Sequence, residues 1–395
     1  MIGQALFASV GLAGTAATLP GTLELATLTA AALRDAPGPR ADPARCGKLA
    51  VVVPAHDEAH DIAACVRSLR ACEVPPNGAR VVVVADNCHD ATASVAREAG
   101  AEVIEREDWA HRGKGYALEM AFPEVLADPE VEAVLVVDAD TRVEPSLLTA
   151  AAAAFAGGAD AFQCRYLIGN PGASRRTRRM HVAALAFDVV RPRGRQALGL
   201  SAGILGNGFG LHRRVVEAMP YTAHSVVEDL EYHLMIVRAG FSVTFLEETA
   251  VYADVPLTDA SARSQRLRWE GGRLRMIREH APELAGDVLR GRWRLLEPLG
   301  DLLLLPLATH VGILGLVLVT PFWPTQLYAA ASLAVVTAHV ATALKVGGGT
   351  REDLRVLADV PFYVLRKAGL LPSLVRASKA DQDWVRTERV HGEAT

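Results

Sequence analysis

Residues Val134 to Asp140 read Val-Leu-Val-Val-Asp-Ala-Asp, and no other stretch restricts the fold of this chain as much. A short apolar run ended by two carboxylates one residue apart predicts a buried parallel strand. Such a strand delivers Asp138 and Asp140 to its carboxyl edge, where open α/β sheets bind ligands. Alternation along an extended chain puts both acids on one face and turns Ala139 away. Two carboxylates so placed suit a hard cation, Mg2+ or Mn2+, of the kind that neutralises a diphosphate. The same residues also fit a strand end followed by a helix cap, with Asp140 or Thr141 as the cap.

The surrounding pattern is that of alternating βα units. Leu49 to Pro54 predicts a first strand with Ala55 to Glu58 as its exit loop, and an amphipathic helix follows through Leu69. Val81 to Val84 predicts a second strand that ends in Asp86-Asn87-Cys88-His89-Asp90. Acid-rich loops at two adjacent strand ends place acceptors where a nucleoside can be held, and Asp86 suits a pyrimidine imide N–H; each acid taken singly is equally a helix cap. Val103 to Glu105 is a third strand, and Arg112-Gly113-Lys114-Gly115 opens the next helix with glycines and a point charge suited to a phosphate. An Ala-rich helix, Pro145 to Phe155, follows the acidic strand.

The chain has 395 residues, half of them hydrophobic, with the excess at its two ends. Ile2 to Leu33 carries Glu24 as its one charge, long enough for a membrane helix, which needs about 20 apolar residues. A cleaved signal peptide would have a basic start and a shorter apolar run. The expected helix bends near Pro20-Gly21, and Glu24 must face protein or an interface, because a carboxylate in lipid is expensive. Leu295 to Thr320 and Leu327 to Leu344, parted by Pro321-Phe322-Trp323-Pro324, read as a membrane hairpin. The expected organisation is a transmembrane helix (1–33), a linker (34–47), a catalytic domain (48–294), the hairpin (295–345) and an interfacial helix and tail (346–395). Basic residues flanking these spans place the catalytic domain on the cytoplasmic side of a multi-pass inner-membrane protein. Five cysteines without metal-ligand spacing read as reduced thiols. A net charge of −4 argues against a nucleic-acid partner. Arg175 to Arg179 reads as a solvated or headgroup-facing patch.

In order along the chain come Pro54-Ala55-His56-Asp57-Glu58, Asp86-Asn87-Cys88, Arg112-Gly113-Lys114, Asp138-Ala139-Asp140, Glu228-Asp229 and Gln265-Arg266-Leu267-Arg268-Trp269. This ordered set, across residues 48 to 275, resembles glycosyltransferase family 2, and its second half looks like the membrane-bound, cellulose-synthase-like branch. The chain has Asp57 where such families often have Asn. The resemblance implies a GT-A fold, a mostly parallel sheet flanked by helices, together with an inverting mechanism and a nucleotide-sugar donor, usually a UDP-sugar. It assigns Glu58 and Asp86 to the nucleoside, Asp138 and Asp140 to nucleotide and metal, and Asp229 to the catalytic base with Glu228 as its substitute. Pro54, His56, Asp57, Asn87, Lys114 and Ala139 complete the implied donor-binding set.

Inverting transfer needs a base on the face opposite the leaving diphosphate, and positive charge to stabilise that diphosphate. Asp229 and Glu228 also fit helix N-terminal acids favoured by the macrodipole. Gln265, Arg268 and Trp269 share one helical face, offering a bidentate grip on the diphosphate and a flat plate for a sugar ring. The arginines around them equally suit a helix on the membrane surface. Gly206-Asn207-Gly208 resembles the family's acceptor-side loop, and an ordinary turn is the alternative. The acceptor is expected to be a lipid or another membrane-proximal group. Two other classes remain open: a metal-dependent nucleotidyltransferase, and a non-catalytic membrane scaffold that keeps a sugar-nucleotide fold.

Overall fold

The computed structural model describes residues 2–255, 257 and 259–359, with backbone alone for 2–3 and 259–268. The chain divides into two compact units. Of the described residues, one takes Ala36–Thr177 and Gly199–Gln265; the other takes the chain up to Asp35, Arg178–Leu198 and residues 266–359. Sequence continuity therefore does not mark the units, because Arg178–Leu198 groups with the apolar helices.

The first unit holds one mixed sheet of eight strands: β1 (Lys48–Ala55), β2 (Ala79–Asp86), β3 (Glu102–Arg106), β4 (Val131–Val136), β5 (Thr141–Val143), β6 (Ala161–Ile168), β7 (Phe209–His212) and β8 (Val243–Ala253). Their order is β3-β2-β1-β4-β7-β6-β8-β5. The strands β3, β2, β1 and β4 run parallel, with β1 pairing Val51 to Val81 on one side and to Leu135 on the other. Direction then reverses, since β7 is antiparallel to both β4 and β6 while β6 is parallel to β8. Leu49 to Val53 are all fully buried, as an inner strand covered on both faces requires. Helices Ile62–Arg70, Thr92–Glu98, Lys114–Leu126 and Leu147–Ala156 accompany the sheet. A core beneath Asp138 gathers Val51, Val53, Ile62, Leu135, Leu147 and Phe162.

The acidic stretch departs from expectation in one respect. β4 ends at Val136, and Asp138-Ala139-Asp140 forms a turn into β5, closed by the Thr141 N–H on the Asp138 carbonyl at 3.1 Å. Ala139 is buried between two half-buried acids, so alternating exposure persists after the ladder stops. The β7 side extends past the strand end: Gly208 donates to the Val136 carbonyl at 3.0 Å, and the Asn207 side chain accepts the Asp138 N–H at 3.1 Å.

In the second unit, helices Gln4–Ala32 and Trp323–Gly347 are long and apolar enough to cross a membrane. The first runs unbroken through Pro20. The other expected span is instead a bent pair, Trp293–Leu303 and Leu307–Val319, meeting at 74° around Pro306. Proline at that position cannot donate to the helix ladder and restricts the residue before it, which breaks the run. Polar side chains are shared inside this unit: Thr18 and Thr22 bond the Tyr328 hydroxyl at 3.0 and 3.1 Å, and Thr29 bonds His339 Nδ1 at 2.8 Å.

Glu24 lies against protein. Arg191 donates to it at 2.6 Å and also pairs with Asp301, while Arg195 bonds Glu297 at 2.5 Å and Asp301 at 2.9 Å. Both arginines are more than nine-tenths buried. Between them Arg193 caps the Ala32 carbonyl at 2.6 Å, and a Cβ on Gly194 would stand 2.4 Å from the Leu28 carbonyl oxygen. In the basic run Arg175 is exposed, while the half-buried Arg178 meets Glu352 and Asp353 and the half-buried Arg179 meets Asp359. The interfacial helix expected after Arg351 lies outside the described residues beyond Asp359. Removing one partner of a buried ion cluster strands the others, so Arg195→Met should lower stability by about 3–5 kcal/mol. Thermal unfolding in detergent checks this, and an unshifted melt would refute it.

Candidate active site

The carboxyl ends of β1 and β2 form one wall. Asp57 and Asn87, each just past a strand, adopt left-handed backbone with φ of 52°, a conformation short polar side chains tolerate. Asp57 Oδ1 accepts the His89 N–H at 2.7 Å, and the Glu58 N–H donates to Thr92 Oγ1 at 2.8 Å. His56 Nδ1 donates to the Asp86 carbonyl at 2.7 Å. Asn87 is buried, with its amide bridging Asp86 Oδ1 at 3.0 Å and the backbone of Asp108. Asp86 is also buried, and its Oδ1 takes a second donor, Arg106 Nη1, at 2.7 Å. Arg106, at the end of β3, was not anticipated from the sequence. Its only signal was a basic residue one strand over from an acid at the same sheet edge. Beside this wall His89 stacks on Trp109 at 4.6 Å, and the Arg112 guanidinium lies 5.0 Å over the Trp109 ring.

Asp57, Cys88 and Asp90 bring ligand atoms within 4.8 Å of one another. The Asp57 and Asp90 carboxylates accept backbone N–H groups of these same loops, at His89, Ala59 and Thr92. Asp138 and Asp140 offer oxygen from two side chains. That is the ligand set with which a Mg2+-type ion is held together with substrate phosphates, so the donor chemistry fits the expected cation.

Lys114 opens the helix Lys114–Leu126 and reaches across to the second wall. Its Nζ lies 2.5 Å from Asp138 Oδ1 and also donates to the Gly206 carbonyl. Burial disfavours its charge, yet Asp138, Glu228 and Asp229 outweigh that and hold its pKa above the ordinary lysine value. The helix start sits tightly on its neighbour, since a Cβ on Gly115 would meet the Ala223 carbonyl oxygen at 2.1 Å. Next to it Tyr116 stacks on His224 at 3.9 Å.

Glu228 and Asp229 begin the helix Glu228–Arg238, and Asp229 Oδ1 accepts the Leu230 N–H at 2.8 Å. Burial, only partly offset by Lys114, pushes both carboxyls above the usual range, and repulsion between the two adds to the shift at Glu228. Gly206, at φ of +82°, packs directly on Asp229: a Cβ there would stand 3.0 Å from Oδ2. Lys114, Asp138, Gly206 and Asp229 thus form one continuous set of contacts.

Asn207 and Gly208 behave differently from Gly206. Both are buried; Asn207 bonds Asp138 N–H and Thr141 Oγ1, and a Cβ on Gly208 would lie 2.5 Å from Cys164 Sγ. Both support the loop from within. The side chains of Gln265 and Arg268 lie outside the described residues, and Trp269, half exposed, belongs to the other unit. Asn207→Ala leaves the Asp138 N–H and Thr141 hydroxyl without their partner, for an expected loss of about 1–3 kcal/mol by denaturant unfolding. Unchanged stability would show that the turn holds itself.

Residues 45–272 match the family described as Glycosyltransferase like family 2. A probable glycosyltransferase of Bacillus subtilis, YdaM, is 24% identical over 234 residues, 57% of this chain and 55% of that protein, so the chain spans about half the length of this relative. The solved mannosyltransferase PcManGT of Pyrobaculum calidifontis, in complex with GDP-Man and Mn2+, is 19% identical with a TM-score of 0.55, covering 94% of this chain and 97% of its own. Glucosyl-3-phosphoglycerate synthase of Mycobacterium tuberculosis, in complex with Mg2+ and UDP, is 20% identical over 55% of this chain and 76% of its own, with a TM-score of 0.38. The sheet with its helices is GT-A-like, and with more than half of its length matched the chain belongs to glycosyltransferase like family 2.

Proposed function

We propose that the protein is an inverting glycosyltransferase that moves a sugar from a nucleotide-sugar to a hydroxyl acceptor at a membrane surface. The observation that carries this reading is Lys114, whose ammonium touches the Asp138 turn and the carbonyl of Gly206, the residue packed on Asp229. Groups for the leaving diphosphate and for proton abstraction thereby meet within one site. Asp229 takes the proton of the acceptor hydroxyl. The freed oxygen pair bonds the anomeric carbon from the face opposite the diphosphate, and the old carbon–oxygen pair leaves with that diphosphate. Lys114 balances the charge that develops there. Asp138 and Asp140 would hold Mg2+ or Mn2+, which when bound neutralises the diphosphate. Burial supports the role of Asp229, because a carboxylate of raised pKa is a stronger base.

The bonding of Asp86 supports a uridine donor. Asp86 Oδ1 already accepts from Arg106 and Asn87, which leaves Oδ2 for a ring N–H. The uracil edge presents one such donor, whereas guanine presents two and would need both oxygens. PcManGT was solved with GDP-Man, so the distinction is worth testing here. The candidate spans support a multi-pass membrane protein whose catalytic unit faces the cytoplasm by the positive-inside tendency. Among the described residues there are up to three candidate spans, few for a polymer channel, which favours single transfer to a lipid-linked or membrane-proximal acceptor. Gln265 and Arg268 are proposed for the diphosphate, and Trp269 for a sugar ring.

Purified protein in vesicles, given radiolabelled UDP-sugars with lipid and polymer products separated, tests the activity. Asp229→Asn should reduce transfer by about 10²–10⁴ with UDP binding retained. Asp138→Ala should instead weaken metal-dependent UDP binding. Full transfer by Asp229→Asn removes the base assignment. The raised carboxyl also predicts a pH dependence. Asp229 must be unprotonated to act, so kcat/KM should fall as pH drops through a value above the ordinary carboxylate pKa of about 4. A profile flat down to that ordinary range would contradict the arrangement.

A further inference from the structure

We infer that Lys114 is the resident counter-ion of Asp138, holding the acidic turn closed to a free divalent cation until a nucleoside diphosphate draws its ammonium away. The inference rests on the reading of Asp138 as a ligand of the donor's metal. Lys114 Nζ sits 2.5 Å from Asp138 Oδ1, the side chain is only 19% exposed, and its second bond to the Gly206 carbonyl fixes it in place. The ammonium therefore occupies the oxygen that a cation would share. A dication beside a buried ammonium is repelled over a few ångströms with little solvent to screen it.

A diphosphate changes this balance on both sides. It offers Lys114 new anionic oxygens, and it completes a ligand set for which two carboxylates alone are too few. Lys114 can then exchange Asp138 for the diphosphate. In doing so it also leaves the carbonyl of Gly206, whose Cα packs on Asp229. Donor arrival is thus transmitted to the residue proposed as base, and the arrangement enforces metal entry together with the donor rather than before it.

The test titrates Mn2+ alone into full-length protein, reading the free ion by electron paramagnetic resonance, and repeats the titration with UDP and with GDP. Wild type should bind Mn2+ weakly without nucleotide and tightly with it. Lys114→Gln keeps an N–H for Gly206 without the charge and should tighten nucleotide-free Mn2+ binding by about tenfold or more. Lys114→Arg should stay weak, and adding Asp138→Asn to Lys114→Gln should abolish the gain, which separates this site from Asp57, Cys88 and Asp90. Lys114→Met repeats the measurement if the glutamine variant does not fold. Nucleotide-dependent binding that persists while Lys114→Gln shows no gain overturns the role of Lys114 alone. If wild type binds no Mn2+ even with nucleotide, the metal reading of Asp138 falls with it.

Discussion

The reversal of strand direction between β4 and β7 is the constraint on which the site depends. Four parallel strands bring their carboxyl ends to one edge, and a fifth parallel neighbour would bring only another strand end beside β4. An antiparallel neighbour instead brings the start of β7, and with it Gly206, to the edge where Asp138 emerges. The N–H of Gly208 and the side chain of Asn207 then bind the end of β4 and the first acid of the turn. Asp138 and Gly206 become neighbours through this junction.

Around that junction the charges are arranged so that none of the described acids at its centre is left in isolation. Asp138 faces Lys114, and Asp86 faces Arg106. Glu228 and Asp229 share the field of Lys114 but lack a direct cation, and burial raises both. At both carboxyls Lys114 opposes the effect of burial only in part.

The parallel half of the sheet was legible because Leu49 to Pro54 and Val81 to Val84 are unbroken apolar runs ended by acids, and nothing competes with that pattern. The antiparallel half was not read. β6 carries Gln163 in its centre, whose amide bonds the Asn207 carbonyl at 2.7 Å, and β8 is interrupted by Glu247 and Glu248 at a register shift. Polar residues that serve partners distant in sequence look like loop until those partners are known. The same limit hid Arg106 and the supporting role of Asn207. The long apolar helices were legible by length, but the break at Pro306 was not, because the apolar count on each side of it looks continuous.

Glu24 shows what such long-range pairing asks of a growing chain. Its partners, Arg191 and Arg195, lie 167 and 171 residues further along and are themselves matched by Asp301 and Glu297. At typical synthesis rates of about 5–20 residues per second, Glu24 waits roughly ten to thirty seconds for its first guanidinium. During that interval the leading helix carries a carboxylate whose arginine partners have not yet been made. The ion cluster around Glu24 is therefore completed only after most of the strands have been synthesised.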